Sequence, residues 1–270
     1  GAVAWLVGEE GRGVRTIIDM VTHTRLDCVL GATATMRQAT AQALHHAAHR
    51  HAFGAALTDQ PLMRNVLADL AIESEAATVT ALRLARAFDE ADRGDASADA
   101  FRRLATAVGK YWVCKRQPTH VGEALECLGG NGYVEESVMP RLFRESPLNG
   151  IWEGSGNVIC LDVLRAVARE PATIEAFLAE LDAARGADAR LDAAADRVRT
   201  ELGDVYGLEG RARRVVEAMA LALQGSLLVR HGHPAVADAF CATRLGGDAG
   251  LALGTLPPGT DVGAIVERSR

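Results

Sequence analysis

The 270 residues are enough to bury a full core, as one large domain or two small ones, and 49% of them are hydrophobic. A formal net charge of −6 offers no global attraction to nucleic acid or to an anionic membrane surface. No run of about 18 apolar residues and no signal-peptide pattern is present, so a membrane span is not expected.

The first residues, Ala2-Val3-Ala4-Trp5-Leu6-Val7, read as a short strand without a partner strand nearby, which suggests a chain that started earlier. Gly8 to Gly13 then turn into a helix that runs from Val14 to about Phe53, with Val14, Ile17, Ile18 and Val21 on one face. At 1.5 Å per residue this helix spans roughly 60 Å. A second helix starts near Asp59, with Met63, Val66, Leu67 and Leu70 aligned, and Arg93-Gly94-Asp95 breaks it. A third runs from about Ser97 to Leu128, kinked or interrupted at Pro118. A fourth begins at Asn157, where Cys160, Val163, Leu164 and Val167 repeat as one helix face. Four long amphipathic helices joined by short connections predict an all-α fold, an antiparallel four-helix bundle.

Beyond Pro171 the pattern changes. Ile174, Phe177, Leu178 and Leu181 mark a short helix, Val216, Met219, Ala220 and Leu223 a longer one, and Pro234 to Thr243 another. Repeated glycines and Pro257-Pro258 predict an irregular tail. The expected organisation is a bundle over 14–170, additional C-terminal helices over 171–247 and a tail over 248–270. Five cysteines (28, 114, 127, 160 and 241) show neither CxxC nor disulfide-like spacing, which suits a reduced, cytoplasmic protein.

Chemistry concentrates between Leu128 and Arg165. Two glycine-rich turns, Gly129-Gly130-Asn131-Gly132 and Gly154-Ser155-Gly156-Asn157, bracket Glu135, Glu136, Arg144 and a Trp152-Glu153 pair. Paired glycines let backbone approach a ligand closely, and N–H groups at the following helix start suit a phosphate or carbonyl oxygen. By composition alone, two ordinary loops account for the same residues. Glu153 by itself also reads as a helix-entry carboxylate favoured by the dipole. His45, His46, His49 and His51 invite a metal reading, but no carboxylate or cysteine nearby completes a site, and no metal is expected.

The segment Ile151-Trp152-Glu153-Gly154-Ser155-Gly156-Asn157 resembles the aromatic-Glu-Gly-Thr/Ser signature of flavin-dependent acyl-CoA dehydrogenases, and Gly129-Gly130-Asn131-Gly132-Tyr133 resembles that family's second signature. Arg144, nine residues before Glu153, resembles the Arg of the family's Arg-Asp/Glu element. The wording around Glu135-Glu136-Ser137, Pro140-Arg141-Leu142 and Leu161-Asp162-Val163-Leu164-Arg165 is similar to the family's AidB-like branch, flavoproteins associated with DNA alkylation.

The resemblance implies that Glu153 is the base for the α-proton of an acyl-CoA thioester, with its backbone N–H bonding the thioester carbonyl. It implies that Arg50 and Phe53, in Arg50-His51-Ala52-Phe53-Gly54, serve the FAD of a neighbouring subunit, which requires a homodimer or homotetramer; by residue type alone, Arg50 ends a helix and Phe53 is a core residue. Gly129, Gly130, Ser155 and Asn157 match further cofactor-contacting positions. Thr24, before Arg25, stands where some members carry an alternative Glu base, so Glu153 has no competitor. Glu126 departs from the family's usual Gln before the Gly-Gly turn, and a carboxylate there would repel a pyrophosphate unless it bonds backbone or ribose hydroxyls.

The resemblance also implies that residues 1–13 end a middle β-domain absent from the 270 residues. FAD is therefore expected to bind this stretch weakly or not at all. DNA association, implied by the AidB-like branch, is not supported by charge: residues 171–270 hold eleven Arg, no Lys and fourteen Asp or Glu. Arg211-Ala212-Arg213-Arg214 reads as an exposed helix start. A third alternative is a bundle that serves only oligomerisation.

Overall fold

The computed structural model describes residues 1–270 and is all-α, apart from one two-residue hairpin. Three long helices carry the architecture: α1 (Gly13–His49), α2 (Pro61–Asp92) and α3 (Ala96–Glu126). Cys114 donates to the Cys28 carbonyl, and Thr40 meets His120, so α1 and α3 run in the same direction. His23 packs on Phe88 while Thr33 reaches the Ala77 carbonyl, and Gly109 lies beside Leu84 while Arg116 reaches Glu73, which places α2 antiparallel to both. Buried alanines line the contacts, among them Ala32, Ala39 and Ala43 of α1 and Ala68, Ala77 and Ala81 of α2. Where α3 crosses α2, a Cβ at Gly109 would lie 2.9 Å from Leu84 Cδ1, so the helices approach too closely for a side chain there.

Breaks in the long helices follow local chemistry. Gly94, with φ of +95°, ends α2, and Asp95 then caps α3 by accepting from Ser97 N at 2.8 Å and Ala98 N at 3.0 Å. Helix α3 continues unbroken through Pro118 rather than being interrupted there. Gly150 packs against the Cys114 carbonyl that the proline leaves without its helical donor. Between α1 and α2, His51–Ala52 pairs antiparallel with Ala55–Ala56 around Phe53-Gly54.

After α3 the chain turns through α4 (Gly130–Tyr133) and α5 (Met139–Glu145), then returns as α6 (Gly156–Arg169), the bundle's fourth member. A Cβ at Gly132 would lie 2.2 Å from the Leu125 carbonyl oxygen, which admits only glycine in that turn. Five further helices wrap the α2–α3 face: α7 (Pro171–Asp182), α8 (Ala189–Gly203), α9 (Ala212–His231), α10 (Pro234–Phe240) and α11 (Val262–Ser269). A π-helical turn, Cys241–Leu245, extends α10.

Three expectations are corrected here. Residues 2–7 form no strand: Trp5 is 83% exposed and no second strand offers hydrogen bonds. Helix α8 appears where no helix is anticipated, burying Leu191, Ala195 and Val198. The tail is not irregular throughout, because α11 buries Ile265 and Val266 against α2.

The tail is fixed by polar contacts to α2. Asn65 accepts from Leu256 N at 3.0 Å and donates to Leu256 O at 3.2 Å, and Asp69 accepts from Gly254 N at 2.7 Å. Arg244 is bonded to both Asp69 and Glu73, and Arg116 of α3 takes the other side of Glu73 at 3.2 Å. Burial alone would raise the Glu73 carboxyl, but the Arg244 and Arg116 guanidiniums hold it down at about 2. Replacing Arg244 by Met leaves buried Asp69 without a cation and Glu73 with Arg116 alone. A loss of about 3–5 kcal/mol is expected in urea unfolding. Because the folded Glu73 carboxyl titrates below its unfolded value of 4.5, its stabilisation is present above that pH and is lost as pH falls towards 2. Wild-type unfolding followed from pH 6 to 2 should show this loss, and the Arg244→Met chain should show a smaller one.

Candidate functional site

The loop that carries Glu153 lies against the middle of α3, held there by two cations. Lys110, only 1% exposed, points from α3 towards the loop, and its Nζ donates to Trp152 O at 2.7 Å and Gly154 O at 2.6 Å. Arg25 of α1 donates from Nε to Glu153 O at 3.1 Å, so three successive carbonyls are captured. No carboxylate pairs with Lys110, and burial pushes its ammonium down from the usual lysine range. Arg25 is aimed by Asp162 of α6, whose carboxylate it meets at 2.7 Å. Burial by itself would raise Asp162, yet the bonds from Arg25 and the charge of Arg103 hold it below the ordinary carboxylate range.

These contacts keep the loop in an uncommon backbone state. Glu153 has φ of +55° and Gly154 φ of +106°, the left-handed region that suits glycine and strains glutamate by about 1–3 kcal/mol. The Glu153 carboxylate is half-buried and makes no ion pair or hydrogen bond, which leaves it free as an acceptor. Trp152 beside it is anchored by Nε1 donating to Asn149 Oδ1 at 3.1 Å, and Asn149 in turn donates to Gln117 of α3.

Ser155 is the N-cap of α6 and Asn157 sits in its first turn. The N–H groups of Glu153, Gly154 and Ser155 meet no acceptor within the chain, nor do those of Gly156 to Val158, as expected at a helix start. Around Gly156 stand Tyr111, Lys115 and Arg213: its added Cβ would lie 3.4 Å from Arg213 Nη2 and 3.6 Å from Lys115 Nζ. Arg213, from α9, donates to Asn157 Oδ1 at 2.8 Å. Neither Lys115 nor Arg213 pairs with a carboxylate, whereas Arg211 and Arg214 are both committed to Glu201.

The remaining sequence-derived residues lie elsewhere. About 37 Å of helix separates Arg25 from Arg50. Arg50 ends α1, is exposed and pairs with no carboxylate. Phe53 is not a core residue: it stands 97% exposed at the hairpin tip, with φ of +53°, followed by Gly54 at +84°. That is a type I′ turn, which favours Asn-Gly and gives an aromatic no advantage.

Gly129 and Gly130 follow the end of α3, and since α1 and α3 run in parallel they belong to the Arg50 end of the bundle. A groove of about 960 Å³ there is lined by Gly129, Tyr133, Phe143, Glu126, Glu135, Glu136 and Arg144. Arg144 pairs with Glu135 at 2.6 Å. His45 and His49 stack at 4.4 Å between ring centroids, and no group of residues with metal-holding composition is present.

Sequence reasoning missed Lys110, Arg25 and Arg213 as parts of this region. The one available signal was that Lys110 is among only two lysines in the chain, within a helix whose neighbours Val108, Tyr111 and Cys114 are core residues.

Comparison with known proteins agrees with this fold. The profile described as "Acyl-CoA dehydrogenase, C-terminal domain" matches residues 11–168. AidB of Escherichia coli (strain K12) is 41% identical over 252 residues, covering 93% of this chain and 46% of its own length. The crystal structure of Caenorhabditis elegans ACDH-11 in complex with C11-CoA superposes with a TM-score of 0.77 at 25% identity, over 88% of this chain and 45% of that one. An acyl-CoA dehydrogenase from Bacillus anthracis, complexed with FAD, shares the fold with a TM-score of 0.67 at 17% identity, over 97% of this chain and 50% of that one. The chain thus spans about half the length of these relatives. No helix is long and apolar enough to cross a membrane. With its bundle, its Glu153 loop and a profile match over more than half its length, the chain belongs to the acyl-CoA dehydrogenase family, across that family's C-terminal domain.

Proposed function

We propose that the chain is the C-terminal part of a flavoprotein that desaturates acyl-CoA thioesters between Cα and Cβ, with Glu153 as the base. The observation that carries this reading is the state of Glu153, with a carboxylate free of partners on a backbone held in the left-handed region by Lys110 and Arg25. A free, half-buried carboxylate can take the α-proton of a thioester. The unpaired Glu153 N–H can donate to the thioester carbonyl and stabilise negative charge developing on its oxygen. The C11-CoA held by the ACDH-11 relative supports a fatty acyl-CoA as the substrate class.

FAD fits the residues present, although they form two separate groups. The free N–H groups at the start of α6, together with Ser155, Asn157 and the unpaired Lys115 and Arg213, suit a phosphate-bearing ligand beside Glu153. Arg50 and Phe53 would hold a second FAD, that of another copy of the protein. The acidic groove at Gly129 and Gly130 suits hydroxyl and amine groups better than phosphate. Bound FAD would supply the acceptor for the hydride leaving Cβ. The further organisation follows from this reading: 1–13 as the end of a preceding β-domain, 14–170 as the catalytic bundle and 171–247 as the AidB-like addition. No observation favours a DNA-binding role, since Arg185, Arg190, Arg199, Arg211 and Arg214 of the added helices are engaged by carboxylates.

Three tests follow. In the complete flavoprotein, Glu153→Gln keeps the size of the side chain but cannot take a proton. Anaerobic bleaching of the flavin by acyl-CoA should slow by about 10²–10⁴-fold with flavin binding retained; equal bleaching in wild type and variant would show another base. Phe53→Asn gives the hairpin its preferred Asn-Gly tip and removes the aromatic. It should raise the thermal midpoint slightly while weakening self-association in sedimentation runs, and unchanged association would place Phe53 outside any interface. Finally, titration of the 270-residue chain with FAD, followed by fluorescence quenching, should give weak or undetectable binding. Stoichiometric retention of FAD through purification would show that these residues suffice.

A further inference from the structure

We propose that Lys110 is the positioning residue of the Glu153 loop, gripping the carbonyls on either side of Glu153 so that the loop's N–H groups face outward as donors to a ligand oxygen. The final clause rests on the thioester reading above; the grip itself does not.

In a trans peptide the C=O and N–H of one unit point in opposite directions, and the chain contains no cis peptide bond. The Trp152 carbonyl is turned inward to Lys110 at 2.7 Å, so the N–H of Glu153, in the same unit, is turned away from α3. The Glu153 carbonyl is held by Arg25, which turns the Gly154 N–H away from that guanidinium. The Gly154 carbonyl is held by Lys110 at 2.6 Å, which turns the Ser155 N–H outward in its turn. Two cations thereby set the direction of three consecutive donors, none of which has an acceptor in the chain.

The two cations are not equivalent. Arg25 also serves Asp162, and so ties the loop to α6. Lys110 has no carboxylate to satisfy and is nearly sealed from solvent, so the loop carbonyls are the acceptors its ammonium has. A buried ammonium without acceptors is strongly disfavoured, which makes the left-handed turn at Glu153 and the burial of Lys110 mutually dependent. Lys110 is too deeply placed to touch a ligand; it acts through the backbone.

The chain's lysine content makes a direct test possible, since Lys110 and Lys115 are its only two. In the 270-residue chain labelled with ¹⁵N at lysine Nζ, the Lys110 ammonium should exchange slowly enough to be observed, and exposed Lys115 should not. Fast exchange at both would overturn the proposal without any variant. Lys110→Met keeps the apolar stem and removes the donors. If this variant folds, judged by unchanged helical circular dichroism, the amide resonances of Glu153, Gly154 and Ser155 should move while those of α9 stay fixed. Unmoved loop amides in a folded variant would also overturn it.

In the complete flavoprotein, Lys110→Met should lower kcat by about 10²-fold with KM little changed, the pattern of a donor misaimed in the transition state. A fall in binding alone would show that Lys110 does not aim the loop. Absence of turnover in the wild type would reject the dehydrogenase reading, while the ammonium and amide measurements would still decide the role of Lys110.

Discussion

A lysine ammonium buried without a carboxylate is the constraint around which the Glu153 face of the bundle is arranged. Lys110 emerges from the middle of α3, surrounded by Cys28, Cys114 and the packed helices, and must find oxygen atoms there or lose its charge. The carbonyls of Trp152 and Gly154 provide them. This requirement explains why a solvent-side loop docks against α3 and why a glutamate adopts a glycine-like φ. A separate bond, from Asn149 to Gln117 of α3, anchors the loop's approach. Arg25 completes the arrangement from α1, so the loop is held from two helices at once and its backbone direction is over-determined.

The same physics, with the signs of charge interchanged, secures the C-terminal helices. Asp69 and Glu73 are buried on α2, and carboxylates in that position demand cations. Arg116 comes from α3, but Arg244 comes from the π-helical turn after α10, so the added helices supply part of the bundle's charge balance. Glu180 of α7 similarly receives Arg83 of α2 and Arg230 of α9. The C-terminal region is therefore continuous with the bundle in both packing and electrostatics. Its arginines are largely spent on such pairs, and Arg213, which reaches Asn157 beside the Glu153 loop, is an exception with a different use.

Residues that stabilise the fold and residues that do not can be separated on this basis. Phe53, fully exposed in a left-handed turn, stabilises nothing within its own chain. Arg50 likewise has no partner in the fold. Glu153 shares the strained backbone but is held from within, which suits a group that must be presented in one orientation.

The long helices were legible in the sequence because each repeats its apolar residues at the helical period and ends in recognisable punctuation, Asp95 before α3 and Gly94 after α2. The Glu153 loop was legible because its glycines and aromatic form a compact local pattern. Helix α8 was not, since a face of Leu191, Ala195 and Val198 diluted by charges carries a weak periodic signal. Nor was α11, eight residues long behind Pro257-Pro258, which is stabilised by its contacts to α2 rather than by its own propensity. The partner of Arg144 was not legible either: it pairs with Glu135, because the side chain reaches whichever carboxylate the α4–α5 turns bring near. The sequence by itself determined the helical class, the bundle and the loop that bears the carboxylate. The tertiary structure decided which cations hold that loop, because Lys110 and Arg25 lie on different helices and only packing brings them to the same three carbonyls.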